Sequence, residues 1–441
     1  MERERILIEN EILDKLSGKI FLLQDLSKKH EVIFQAFLEV YNSPNHQNFI
    51  RRSSKVDLDT FFHQFLSYGV IDDFLADPNV EDIMINNLDN IFVHKTKSGM
   101  VKTDSKFENR EELDLFIKKL VIFSGRKDIR KINNVELSEI KGRANIAFSP
   151  FGPQITITRA KEKPLSIIEL VRSGTFTPEI AGQFWLYIEG LSVKPANLII
   201  SGGPGSGKTT LLNALFNFIP DNERLVVIED TLELNTELED NCSRLESDED
   251  TTLADLVKNT LRMRPDRVIV GEVRGSEASD LMTIMNIGKY CMGTLHASTA
   301  RETVLRLQNE PMNVPQVLIG LVDVIIIMRR FNDNGTIKRV IGELVETAGT
   351  AEKNVLLSVL LSYDFATNRF RESNVSSIYR DKLAQISGRS PKEVMKEVEI
   401  RTAIIKRMAD KNISDFKTVT AIFRKYLTHP QSVLRDLELI R

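Results

Sequence analysis

The run GGPGSGKTT, residues 202–210, carries the plainest chemistry in the chain: four residues separate Gly202 from Gly207, and Lys208 and Thr209 follow directly. This spacing is the phosphate-loop pattern. Glycines let consecutive backbone N–H groups curl round phosphate oxygens with no Cβ in the way, and a helix N-terminus adds partial positive charge. Gly202, Gly203, Pro204, Gly205, Ser206 and Gly207 would form the cradle, and Thr210 would continue it into the helix. Lys208 would reach the β- and γ-phosphates, and the Thr209 hydroxyl would ligate magnesium. An apolar run, ANLIIS, precedes the loop and an amphipathic one, LLNALFNFI, follows it, which is the strand–loop–helix context the pattern requires. A nucleoside triphosphate with Mg2+ is the implied ligand.

Three later stretches bring chemistry to the same place. RLVVIEDTLEL ends in Glu229 and Asp230, with Glu233 one short turn on. In a parallel sheet the ligand crevice lies off the carboxyl ends of the strands, where acids orient an attacking water or the water shell of a metal. The alternative for such a cluster is a solvated acidic loop. RVIVGEVRG delivers Glu272 and Arg274, with Gly271 standing where many nucleotide hydrolases carry an aspartate. Glu272 is placed to hold a magnesium-bound water or to polarise the nucleophile. The preceding LRMRPDR offers Arg262, Arg264 and Arg267, either as phosphate contacts or as surface ion-pair partners. CMGTLHAST sets His296 just past a short strand, as a γ-phosphate sensor or as a packed histidine without chemistry.

The elements that must position these residues follow from periodicity. Residues 1–55 read as a helical N-terminal segment, and 56–160 as a small α+β domain with strands in VEDIMIN, NIFVHK, RANIAFS and QITITRA. KEKPLS opens a linker and lead-in helix over 161–185. Residues 186–348 alternate strands with helices, which implies parallel strands and crossover helices. Asn334-Gly335 between two strand-like runs signals a hairpin. Residues 349–441 read as a C-terminal hairpin and helical subdomain, where Ser390, Pro391 and Glu393 form a capping box and another helix starts near Asp415. The fold class is α/β.

With 441 residues the chain is too long for one ordinary core. A net charge of −3 gives no electrostatic reason to expect nucleic acid. Two cysteines without a CxxC pair make a reducing compartment the natural reading and a zinc site an unexpected one. The opening residues lack an uninterrupted apolar run, and LIGLVDVIIIM is interrupted by Asp323 and too short for a membrane span. A cytoplasmic protein is expected, with any membrane attachment made through a partner.

In this order and spacing the phosphate loop, IEDTLEL, PDRVIVGEVRG and GTLHA resemble the type II/type IV secretion ATPase superfamily, which names these blocks Walker A, the Asp box, an atypical Walker B and the His box. The resemblance covers about residues 56–441: FLADPNVEDIMINNLDNIFVH is similar to the family's entry sequence into its N-terminal domain, and QNEPMNVPQVLIGLVDVIIIMRR and ISDFKTVTAIFRKYLTHPQSVL resemble the archaeal branch. It implies a RecA-like P-loop NTPase domain preceded by a smaller α+β domain. It also implies a homo-hexamer that hydrolyses ATP with Mg2+ and drives a pilus-like, archaellum-like or protein secretion machine through a polytopic membrane platform protein. Glu272 would serve magnesium through water, Glu229 and Glu233 would help activate water, and His296 would report the γ-phosphate. Arg143 and Arg159 match the positions whose charge stabilises the transferring phosphoryl group.

The chain departs from the family pattern in the His-box region, where Lys289 stands at the first histidine's place, and in its short helical N-terminal segment. The four-cysteine zinc insert of type II secretion and pilus-extension members is absent from the sequence. Two other readings stay open: a DNA-translocating ATPase, and a scaffold that binds nucleotide with little turnover.

Overall fold

The structure of the chain, a computed structural model, describes residues 2–20, 26–44, 46, 58–96, 98–140, 142–159, 163–248, 250–333, 335–351 and 354–440. It divides into two compact units, residues 1–162 with 335–337, and 163–334 with 338–441. The first residues of the expected linker and Asn334 of the expected hairpin turn lie outside the described residues.

The first unit is built on six strands, β1 Val80–Ile85, β2 Ile91–Lys95, β3 Gly99–Lys102, β4 Ile132–Leu137, β5 Gly142–Ser149 and β6 Gly152–Arg159. They run in the order β3-β2-β1-β6-β5-β4 with antiparallel neighbours. Alternation fixes which face is covered. Ile83 and Ile85 on β1 sit opposite Ile157 and Ile155 on β6, and all four are buried. The helix Arg110–Phe123 supplies Leu113, Phe116, Ile117 and Leu120 to the same core, and Asn109 caps its start by accepting from the Glu112 N–H at 2.9 Å. The helices Glu2–Leu16 and Leu26–Tyr41 contribute Ile12, Leu13, Phe37 and Val40 to this core, so the N-terminal segment belongs to this unit's packing. The stretch LDTFFHQFLSYGVIDDFLA, whose apolar residues continue with helical spacing, is broken at Tyr68-Gly69: Leu58–Leu66 and Asp72–Ala76 are separate helices, with Gly69 at φ +63. Two of the strands, β3 and β4, carry no clear apolar alternation and were not expected.

The second unit carries a nine-stranded sheet. Its strands are β7 Leu198–Gly202, β8 Leu225–Glu229, β9 Cys242–Glu246, β10 Arg267–Val273, β11 Tyr290–Leu295, β12 Val324–Asp333, β13 Thr336–Ala351, β14 Asn354–Asp364 and β15 Arg369–Glu372. The order is β15-β14-β13-β12-β7-β11-β10-β8-β9. From β12 to β9 every neighbour is parallel, whereas the β13–β14 and β14–β15 pairs are antiparallel. The parallel strands inside the edge strand β9 are largely buried on both faces, so they appear in sequence as continuous apolar runs such as LVVI and VIIIM. This is the α/β, RecA-like arrangement.

Helices close the second unit around one aromatic anchor. Trp185, on Pro178–Glu189, is fully buried against Phe218 and Phe423, with the Arg401 guanidinium 5.0 Å from its ring centre. Arg401, on the helix Pro391–Asp410, donates to Glu189 at 2.7 Å and to Glu397 at 3.1 Å. The Ser390–Glu393 capping box forms as expected, and Asp415 caps Phe416–Thr428 through the Thr418 N–H.

Candidate active site

The parallel sheet order sets the site. β7 ends in the phosphate loop, β11 beside it ends before His296, β10 beyond that carries Glu272, and β8 carries Glu229. Four sequence blocks spread over 95 residues therefore open at the carboxyl ends of four adjacent strands.

The phosphate loop leaves β7 through Gly202, where a Cβ would stand 2.5 Å from Ser206 Oγ and 2.6 Å from the Met328 carbonyl. Gly205 and Gly207 take φ +65 and +97, conformations an L side chain rarely adopts. The helix Lys208–Leu215 starts directly after Gly207, with Thr209 and Thr210 half-buried in its first turn and Pro204 exposed at the crest. Ser206 Oγ is buried without a hydrogen-bond partner among the described residues. Lys208 Nζ, also buried, donates to the Gly202 and Gly203 carbonyls at 3.1 and 3.3 Å and lies 3.4 Å from His296 Nδ1. An ammonium resting on main-chain carbonyls and a hydroxyl with nothing to bond are the groups a polyphosphate would satisfy, so the cradle fits the ligand that its sequence implies.

From Lys208 a chain of polar contacts crosses the strand ends. His296 Nε2 stands 2.7 Å from Glu272 Oε1 in an alignment that does not make a hydrogen bond. Arg274 donates to Glu272 Oε2 at 2.5 Å and approaches Asp230 Oδ2 at 3.7 Å, and Asp230 accepts from Ser247 Oγ at 2.6 Å. Burial pushes the Glu272 carboxyl up, but the Arg274 hydrogen bond and charge, with His296 and Lys208 behind them, outweigh it and hold the pKa below the usual value. Burial and the Lys208 charge push His296 below its usual value against the pull of Glu272, so the imidazole is neutral near pH 7. Burial likewise lowers Lys208 while Glu272 opposes it.

Glu229 is held differently. It is 2% exposed, and its Oε1 accepts the N–H groups of Glu233 and Leu234, each at 3.0 Å. Burial pushes its pKa up to about 7, against the two N–H donors and Arg244. A carboxyl near pH 7 is tuned for proton transfer. Glu233 is exposed at the turn that supplies those donors.

Of the remaining candidates, Arg267 sits at the opposite end of β10 from Glu272. It is fully buried, paired with Glu223 at 2.8 Å and donating to the Ile188 carbonyl at 2.8 Å, and serves the core. Arg262 and Arg264 are exposed at that same far end. Within the first unit, Arg159 closes β6 and points one nitrogen at the carbonyls of Phe74, Asp77 and Val80, at 3.2, 2.7 and 3.4 Å. Arg143 is exposed on β5, in register with Glu136 and Thr158.

Two arginines near the site were not anticipated. Arg244 on β9 lies 3.8 Å from Glu229 Oε2. Arg339 on β13 donates to the Gly205 carbonyl at 2.9 Å, 134 residues along the chain. β9 has a polar pattern, CSRLE, with no apolar run to mark it as a strand, and the distance to Arg339 along the chain leaves no local signal.

A phosphate loop flanked by these acids and a histidine on a RecA-like sheet defines a P-loop NTPase of the secretion class. The chain belongs to the type II/IV secretion ATPase superfamily: the family described as type II/IV secretion system protein matches residues 143–354. An uncharacterized protein of Methanocaldococcus jannaschii is 30% identical over 374 residues, covering 81% of this chain and 67% of its own. The conjugal transfer protein TrbB of Rhizobium radiobacter is 32% identical over 279 residues, covering 60% of this chain and 84% of its own. The X-ray structure of the Yersinia pseudotuberculosis ATPase DotB superposes with a TM-score of 0.49 at 16% identity, over 81% of this chain and 92% of that one.

Proposed function

We propose that this protein hydrolyses ATP with Mg2+ and works as a homo-hexameric motor for a pilus-like, archaellum-like or protein secretion machine. The observation that carries the reading is the contact chain from Lys208 through His296 to Glu272, beside a separately held Glu229 with a pKa of about 7. One acid stays ionised beside the phosphate seat while the other is poised to take a proton, the division of labour that hydrolysis needs.

In this reading the amides of residues 203–207 and Lys208 bind the phosphates. Thr209 and, through water, Glu272 would hold Mg2+, which supplies charge neutralisation on the β- and γ-phosphates. Hard divalent cations of this kind are bound by one or two protein groups together with substrate phosphate, so no all-protein cage is needed. Glu229 takes the proton of the attacking water, Glu233 shapes the turn that aims it, and neutral His296 stands where it would meet the γ-phosphate. Arg143 and Arg159 are the proposed sources of further positive charge on the transferring group. Among the described residues no helix is long and apolar enough to cross a membrane. Work on a membrane machine would then pass through a polytopic partner at the cytoplasmic face.

The test is Mg2+-dependent ATP hydrolysis by the purified chain beside Lys208→Ala and Glu272→Gln, with mass measured in the same samples. Turnover from a nucleotide-stabilised hexamer, reduced about 100-fold or more by Glu272→Gln, supports the motor. Nucleotide binding with no turnover above the variants, at every protein concentration and with lipid present, would replace it with the scaffold reading. The similarity to a conjugal transfer protein keeps DNA translocation as the second reading. Stimulation of hydrolysis by single- or double-stranded DNA would favour it.

A further inference from the structure

Several buried polar groups of the second unit stand outside the proposed mechanism. Arg401 with Glu189 and Glu397 joins two helices, with its Nη1 lacking a hydrogen-bond partner among the described residues, and Glu346 on β13 with Tyr187, Ser377 and the Tyr379 amide joins helices to the sheet. Arg424 ties the helix Phe416–Thr428 to Ile219, Leu238 and Glu239. Arg244 differs from these in reaching a residue of the reaction itself.

Arg244 lies on β9, in register with Val227 on β8, and Glu229 follows two residues later on the same face of that strand. One terminal nitrogen of its guanidinium does two things. It donates to the Leu234 carbonyl at 2.9 Å, and it stands 3.8 Å from Glu229 Oε2. The amide of the same Leu234 donates to Glu229 Oε1. Arg244, Leu234 and Glu229 thus close a ring in which the arginine fixes the turn and the turn fixes the carboxyl. Oε2 is buried and has no hydrogen-bond partner among the described residues, so the Arg244 charge acts on the oxygen left for chemistry.

We propose that Arg244 is a positioning residue for hydrolysis, holding Glu229 aimed and ionised so that Oε2 accepts the proton of the attacking water. This rests on the hydrolase reading above. In the step, the water oxygen bonds to the γ-phosphorus, the bond from that phosphorus to its bridging oxygen breaks, and the water proton goes to Glu229. Among the described residues, β9 sets two charged groups beside Glu229, Arg244 and, directly in register with Glu229, Glu246; Glu233 of the following turn carries charge as well, and β10 presents Gly271, which carries none. Burial and Glu233 push the carboxyl towards its protonated form, and the two amides and Arg244 oppose them. Arg244 is the side-chain part of that opposition, 36% exposed, and can be substituted without touching the backbone donors.

The experiment is the pH dependence of kcat and KM for ATP hydrolysis from pH 5.5 to 9.5 by the full chain and its Arg244→Met, Arg244→Gln and Arg244→Lys variants. The wild type gives a rate that rises with pH on an acid limb set by Glu229. Without the charge, Arg244→Met and Arg244→Gln move that limb upward by about one pH unit, lose rate near pH 7 and recover most of it near pH 9, with KM little changed. Arg244→Lys keeps the limb near its wild-type position. A limb that does not move in either neutral variant, whatever the loss of rate, overturns the proposal, as does an equal loss in all three at every pH. Should Arg244→Met fail to fold, Arg244→Gln carries the same two outcomes. A wild type that does not hydrolyse ATP overturns the hydrolase reading instead, which the first measurement of the series shows before any variant is compared.

Discussion

Glu229 occupies the space that a side chain at position 271 would need. A Cβ on Gly271 would stand 2.8 Å from Glu229 Cγ and 3.3 Å from its Oε1. β8 and β10 run parallel with Ile228 opposite Val270, so the next residue on each strand is Glu229 and Gly271. The glycine found where other nucleotide hydrolases carry an acid is explained by this contact: the neighbouring strand fills the place with its own carboxyl. Thr294 holds the same spot by donating to the Gly271 carbonyl at 2.6 Å.

Gly271→Ala is therefore expected to displace Glu229 and cost about 1–3 kcal/mol of stability, the usual range for overpacking a core. Turnover should fall by about 10-fold or more, whereas nucleotide affinity holds. Chemical unfolding and steady-state hydrolysis measure the two effects. A fully active Gly271→Ala chain would remove this account of the glycine.

Glu229 also makes stability depend on pH in a defined direction. Its folded pKa, about 7, lies above the ordinary carboxylate value of 4.5, so the folded state binds the extra proton. Its stabilising contribution is complete below pH 4.5 and is lost as pH rises through 7. Glu229→Gln should then stabilise the chain at pH 8, on the order of 1–3 kcal/mol, and change little at pH 5. Denaturant unfolding at the two pH values checks it, and an equal effect at both would contradict it.

His296 should titrate below the usual histidine value, because burial and Lys208 disfavour its charged form while Glu272 opposes them. Glu272→Gln removes the opposing charge, so the His296 midpoint should move lower still. NMR titration of the imidazole in both chains is the direct measurement, and an upward move on substitution would be the contrary result.

Arg159 and Arg143 should separate by stability. Arg159→Ala leaves the Phe74, Asp77 and Val80 carbonyls without that donor and is expected to cost about 1–3 kcal/mol. Arg143→Ala, at an exposed strand position, should change stability by less than about 0.5 kcal/mol. Thermal unfolding distinguishes them, and any loss of hydrolysis in Arg143→Ala would then be read without a folding defect.

Arg401→Ala removes one partner of a buried ion pair and leaves the Glu189 carboxylate unpaired. A cost of about 3–5 kcal/mol is expected, seen as a large drop in the unfolding midpoint. A loss below about 1 kcal/mol would mean that water reaches Glu189.

The sequence alone determined what local rules govern. Glycine spacing named the phosphate loop, because few other patterns let the backbone wrap a phosphate. Continuous apolar runs marked the buried parallel strands, and capping residues marked helix starts at Ser390 and Asp415. It also placed Glu229, Glu272 and His296 at strand ends. Only the tertiary structure decided which strands are neighbours, and that order makes Glu272 the partner of His296. It decided as well that Gly271 yields its space to Glu229, that Arg267 is spent in the core, and that Arg244 stands behind a buried carboxyl. These are contacts between residues far apart in the chain, and their energies depend on burial and on distances of 3–4 Å that no local pattern of residue types encodes.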